Sequence, residues 1–161
     1  MRKLAIFSND NKYRYILLRE WDNSKPNLGF IMLNPSTADG EKDDPTIRRC
    51  ISFAKDNGFG SILVVNICAY RSTNPKLLKN LKIPFDHENF TWIETIAVKC
   101  DKTILAYGNS VEYAPNYQKT LSRLHKLKPL YCLGLTKKGH PRHPLYISKN
   151  QRIVKFQGRG A

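Results

Sequence analysis

The sequence predicts an α/β fold, a three-layer α/β/α arrangement with a central, mainly parallel four-stranded sheet plus an N-terminal hairpin. Three observations predict it. Short apolar runs, several rich in β-branched residues, recur along the chain; segments with apolar residues at helical spacing lie between them; and Gly, Pro, Asn and Asp mark the junctions. Strands that alternate with helices imply right-handed crossovers and a parallel sheet covered on both faces.

The elements follow in order. Leu4–Phe7 and Tyr13–Leu18 flank the polar cluster Ser8-Asn9-Asp10-Asn11, which reads as a hairpin connection. Gly29–Leu33 is a short apolar run closed by Asn34-Pro35, a buried strand. Asp44-Pro45 supplies an N-cap with Pro at the first helical position. Ile47, Cys50, Ile51 and Ala54 then recur at helical spacing until Asn57-Gly58. Ile62–Asn66 is a second buried strand, and Ala69–Phe85 an irregular passage. Glu88–Lys99 is a helix with Trp92, Ile93, Ile96 and Ala97 on one face. Thr103–Tyr107 is a strand closed by Gly108, Tyr117–Leu127 a helix and Leu130–Leu133 the last core strand. With no repeat or linker, residues 1–161 read as one domain, with a hairpin at about 1–20 and a basic C-terminal tail at about 147–161.

Composition narrows the partners. Of 161 residues, 27 are Lys or Arg and 13 Asp or Glu, a formal net charge of +14. Such an excess on one small domain is the footprint expected of a phosphate-rich partner, so a nucleic acid is the expected partner. No run approaches the roughly 18 apolar residues of a membrane span. Leu4–Phe7, behind Arg2 and Lys3, is too short for a secretory core, so a cytoplasmic protein without membrane contact is expected. Cys50, Cys68, Cys100 and Cys132 are scattered without zinc-type spacing. They are expected to be reduced and inert, with no metal, no cofactor and no obligate protein partner indicated.

In a parallel sheet the ligand sits outside the carboxyl ends of the strands. That rule singles out the loops after Leu33, Asn66, Tyr107 and Leu133. In the first, Asn34 is held by Pro35 at a strand end and can position water, while Ser36, Thr37, Asp39 and Asp43 can anchor polar atoms. The same residue types also make ordinary turns and caps. In the second, Asn66 offers both donor and acceptor to a base edge, or satisfies loop backbone. Tyr70 can stack or simply pack, and Arg71 can contact phosphate. In the third, Gly108 permits close approach of a ligand or of the next element. The fourth carries Lys137-Lys138-Gly139-His140-Pro141-Arg142-His143-Pro144. Each histidine there is stiffened by a following Pro and can stabilise charge on a leaving group, with Lys137, Lys138 and Arg142 around it for phosphates.

A strand ending in Asn34-Pro35, a strand ending in Asn66, a strand ending in Tyr107-Gly108 and a His-Pro loop, in that order, resemble the uracil-DNA glycosylase-like superfamily. Over nearly its full length, the chain also resembles domain-of-unknown-function family 1643. The phrases that carry this likeness are Met32–Asp39, Asp44-Pro45-Thr46 and Pro141–Tyr146. The first resemblance implies a uracil-DNA glycosylase-like fold in which Asn34 positions the water, Asn66 reads a flipped base and His140 or His143 serves the leaving group. Ser36 stands where relatives carry a shielding aromatic, which implies room for a larger base. Some such relatives resemble phage-defence glycosylases acting on glucosylated hydroxymethylcytosine, which makes that base a candidate substrate.

The expected activity is that of a monofunctional DNA glycosylase, in repair or in antiviral defence. Asn34, His140, His143, Asp39 and Asp43 would be catalytic, and Pro35, Ser36, Asn66, Tyr70 and Gly108 would bind substrate. Arg71, Lys137, Lys138 and Arg142 would hold DNA, with Tyr70 or Phe85 stacking on the base. Two other classes fit the same residues: a non-catalytic nucleic-acid-binding module, and an enzyme of free nucleosides or nucleotides.

Overall fold

The computed structural model describes residues 1–81 and 86–158, so Phe85 lies outside the described residues. In chain order the elements are β1 (Arg2–Phe7), β2 (Arg14–Glu20), β3 (Asn27–Met32), α1 (Pro45–Asp56), β4 (Ser61–Asn66), α2 (His87–Lys99), β5 (Lys102–Leu105), α3 (Tyr117–Leu124), β6 (Tyr131–Cys132) and β7 (Val154–Lys155). Short 3-10 turns at Pro75–Asn80, Asn109–Tyr113 and Pro144–Tyr146 fill the connections. The first of these orders part of the passage expected to be irregular.

The chain is an α/β protein whose described residues form one mixed sheet of seven strands, ordered β1-β2-β4-β3-β5-β6-β7. This corrects the expected strand count. β4, β3, β5 and β6 pair in parallel, but β1–β2, β2–β4 and β6–β7 are antiparallel. The N-terminal hairpin does not stand apart. The apolar run of β2 aligns Leu17 with Val64 and Leu18 with Leu63, which adds the hairpin to the sheet. The stretch expected to be a basic tail returns as β7, where Val154 pairs with Cys132 and Lys155 with Tyr131. A two-residue strand has too little pattern to announce itself.

Alternation along the strands sends side chains to two cores. Ile31, Val65 and Leu105 face Phe90, Ile93 and Ile96 of α2 and Leu124 of α3. Phe30, Val64 and Ile104 face Ile47, Cys50, Ile51 and Ala54 of α1. Helix α1 begins where Asp44 caps it, with the carboxylate accepting from Ile47 N at 2.9 Å and Pro45 following. At the start of β4 the chain passes so close to the β2–β3 connection that a Cβ on Gly60 would lie 1.8 Å from Asp22 O, which leaves room only for glycine. Among the described residues, no helix is long and apolar enough to cross a membrane.

Because β3, β4 and β5 are parallel neighbours, their carboxyl ends open at one edge. Met32 lies level with Asn66, and Ile31 with Leu105. The segments that continue from these three strands therefore converge.

Candidate functional site

At that edge lies a cavity of about 520 Å³. It is lined by Asn34, Pro35 and Ser36 after β3, by Asn66 at the end of β4, and by Tyr107 and Gly108 after β5. Arg142 and His143 close it from the loop after β6. Four sequence-distant loops thus meet around one space, as the strand-end rule requires.

The Asn34 amide is oriented by its surroundings. Its Nδ2 donates to Ser72 O at 2.8 Å and Pro35 O at 3.2 Å. Only an NH2 group can serve two carbonyls, so the Oδ1 is left as an acceptor. Asn66 is 1% exposed, and its Nδ2 has no hydrogen-bond partner. Its backbone carbonyl, by contrast, accepts from Asn89 Nδ2 of α2 at 2.8 Å, which anchors the strand end. A buried amide without a partner is costly, and a ligand acceptor in the cavity would relieve it.

His143 caps the 3-10 turn Pro144–Tyr146, its Nδ1 accepting from Leu145 N at 3.3 Å. An accepting Nδ1 fixes the neutral tautomer with the proton on Nε2. Burial lowers the His143 pKa below its ordinary value, partly opposed by the charge of Asp44, and so favours this neutral form. Gly108 runs beneath the histidine with φ +69°, a conformation that favours glycine, and its N–H donates to Pro141 O at 2.8 Å.

The other expected residues lie elsewhere. His140 does not line the cavity. It is 5% exposed, its rings of contact are Tyr107 and Tyr117, and its Nε2 sits 2.9 Å from Glu112 Oε1. That pairing across 28 residues anchors the loop that carries His143. Asp39 closes a turn by accepting from Glu41 N and Lys42 N, which holds its carboxyl below the usual range. Asp43 pairs with the buried Arg19 at 2.7 Å. Tyr70, edge-on to Tyr13, lines a different cavity of about 610 Å³ and also borders the shallow groove beside Arg71.

Of the expected phosphate contacts, Arg142 lines the cavity, with one guanidinium N–H donating to Tyr146 O. Lys137 is exposed nearby, and Lys138 pairs with Glu112 at 3.4 Å. Arg71 lies over the Phe7 ring and borders a shallow groove with Lys12. That groove shares Ser36, Ser72 and Thr73 with the cavity, so the two are continuous.

Two charged cavity residues are not among the site residues that the loops single out. Arg14 enters from β2, 2% exposed. Asp44 lines the cavity while it caps α1, its second oxygen accepting from Ala38 N at 3.3 Å. The available signal for Arg14 is a charge inside the apolar run Tyr13–Leu18, where only a paired or functional cation belongs. No group of three His, Cys, Asp or Glu able to hold a metal occurs among the described residues. All four cysteines are free, and burial raises the thiol pKa of each.

A family model described as "Protein of unknown function (DUF1643)" matches residues 14–145. The chain belongs to the DUF1643 family. The matched span of the DUF1643 domain holds Arg14, Asn34, Asn66, Gly108 and His143, every cavity group described above except Tyr146. Comparison with curated proteins and with solved structures finds no match.

Proposed function

We propose that this DUF1643 protein is a monofunctional DNA glycosylase of the uracil-DNA glycosylase-like type, which binds DNA through its basic surface and accepts a flipped base in the cavity. One observation carries the reading: a free amide acceptor on Asn34, an unpartnered amide donor on Asn66 and a neutral His143 surround one cavity of about 520 Å³. These are the three roles that N-glycosidic hydrolysis needs.

In this mechanism Asn34 Oδ1 holds a water molecule while Asn66 reads the base edge. The C1′–N bond breaks toward an oxocarbenium-like sugar, and the bonding electrons leave with the base. The Nε2–H of His143 stabilises the negative charge that develops there. The water's hydroxyl ends on C1′ and its proton on the released base. The Asp44 carboxylate supplies a fixed negative charge at the cavity wall that complements the sugar cation. Among the described residues no lysine lines the cavity, which favours hydrolysis without lyase chemistry. Lys12 and Arg71 along the adjoining groove, with Arg142 and Lys137, are the candidate phosphate contacts.

The test is excision from labelled single- and double-stranded DNA carrying uracil, mismatched thymine, hydroxymethylcytosine or its glucosylated form, with alkali to reveal abasic sites. Scission only after alkali is expected. His143→Ala should slow it by about 10²- to 10³-fold, and Asn34→Ala by about 10²-fold or more. The rate should be flat down to pH 6.5, the ordinary histidine value, and fall only below it, where a proton on Nδ1 displaces the Leu145 N–H that orients the imidazole. Excision that survives both substitutions would refute the mechanism, and intact DNA across the panel would refute the activity.

A further inference from the structure

Two arginines of β2 reach under the loop between Asn34 and Asp44, and they are treated differently. Arg19 is fully buried and nearly all of its donors are used. Its Nε donates to Asp43 at 2.7 Å, its Nη1 to Leu18 O at 2.9 Å and its Nη2 to Asp39 O and Lys42 O. Five donors on a planar fork have found four acceptors, and Arg19 does not line the cavity. The Arg14 side chain, in a residue 2% exposed, makes one hydrogen bond, from Nη1 to Ala38 O at 3.0 Å, and its buried Nε has no partner.

A buried guanidinium with most of its donors idle is expensive. Burial lowers the Arg14 pKa to about 10, and the nearby Asp44 charge only partly opposes this. The group is thus still a cation at neutral pH, and it forms part of the cavity wall. Asn66, on the same wall, has the same deficit, a buried donor without an acceptor. Two orphaned donors of one sign of demand, on two adjacent strands, describe the complement: a ligand that presents acceptor oxygens. Carbonyl oxygen suits a guanidinium N–H better than any aromatic carbon or fluorine, so the deficit also acts as a filter, because ligands without acceptors leave both donors unpaired.

We propose that Arg14 is the selectivity-determining cation of the cavity and, with Asn66, binds a carbonyl oxygen of the base. This rests on the reading of the cavity as a base pocket and adds a residue that no strand-end motif contains. Bases with a carbonyl, such as uracil and cytosine, are then favoured over rings of equal shape that lack one.

The experiment follows the Arg14 side chain directly, by nitrogen-15 NMR of arginine Nε–H groups on the whole chain, with its assignment from the signal lost in Arg14→Lys. The ligands are free deoxyuridine, deoxycytidine and the difluorobenzene deoxynucleoside, an isostere without carbonyl oxygens. Both natural nucleosides should shift the Arg14 signal and the isostere should not. Arg14→Met should weaken nucleoside binding by about tenfold or more, with Arg14→Lys between the two. Three results would overturn the proposal: nucleosides that move the Asn66 amide but not the Arg14 signal, a folded Arg14→Met that binds as the parent does, or no binding of either natural nucleoside at millimolar concentration. If Arg14→Met fails to fold, the parent titration and Arg14→Lys decide alone. Loss of excision with the Arg14 shift intact would remove the glycosylase activity and leave this assignment standing.

Discussion

The side chain of Asn34 shows how little freedom the site leaves at the scale of a single residue. Its NH2 is consumed by Ser72 O and Pro35 O, so the amide is an acceptor toward the cavity and a donor toward the protein. A carboxylate of the same shape does not fit that division. Asn34→Asp would set negative oxygens against two carbonyls and lose both hydrogen bonds. We expect it to lower stability by about 1–3 kcal/mol, read by urea denaturation. Unchanged stability would mean that the Asn34 amide is not oriented as described. His140 and His143 teach the complementary lesson. Both precede proline, both lie in one basic loop, and sequence alone cannot separate them. What separates them is Glu112, 28 residues from His140, whose carboxylate takes one imidazole out of the cavity and leaves the other in it.

At the scale of the element, strand β2 does more than extend the sheet. Arg14 and Arg19 project from it to hold the loop between β3 and α1, and Asp43 and Asp44 answer from the loop's end. The Asp44-Pro45 cap and the helical spacing of Ile47, Cys50 and Ile51 were legible because a helix start is a local pattern. The pairing of Asp43 with Arg19 was not, since it joins residues 24 apart through an antiparallel neighbour. Asp43 was therefore open to a catalytic reading, whereas the structure gives it an ion pair with a fully buried cation. Asp43→Ala leaves that cation buried without its counter-charge and should cost about 3 kcal/mol, measured by denaturant unfolding. Arg19→Met together with Asp43→Ala should recover part of the loss. A single substitution without effect would show that the pair does not hold the loop.

For the whole molecule, the parallel core strands and the three helices could be read from apolar runs, because burial on two faces imprints itself on consecutive residues. The edges could not. β1 and β2 join through antiparallel pairing with β4, and β7 arrives from a stretch with no apolar pattern. Charge acts at this scale as well. With a net charge of +14, binding to duplex DNA should be dominated by phosphate neutralisation. If six phosphates are contacted, affinity should fall about 10³-fold between 50 and 200 mM salt. Binding that barely responds to salt would point away from a nucleic-acid partner.

The short turn after His143 has one more consequence. Its first backbone N–H past Pro144, that of Leu145, is what the imidazole accepts, and Tyr146, 73% exposed, stands immediately beyond. The outward-facing tip and the imidazole are thus tied together within four residues, His143 to Tyr146. A contact on Tyr146 from outside is therefore expected to tilt the imidazole inside, whose ring centroid lies 5.7 Å from that of Tyr146. Swapping the tip for that of a relative would therefore exchange a lever along with a contact, and grip and chemistry at this edge would have to evolve as a single trait.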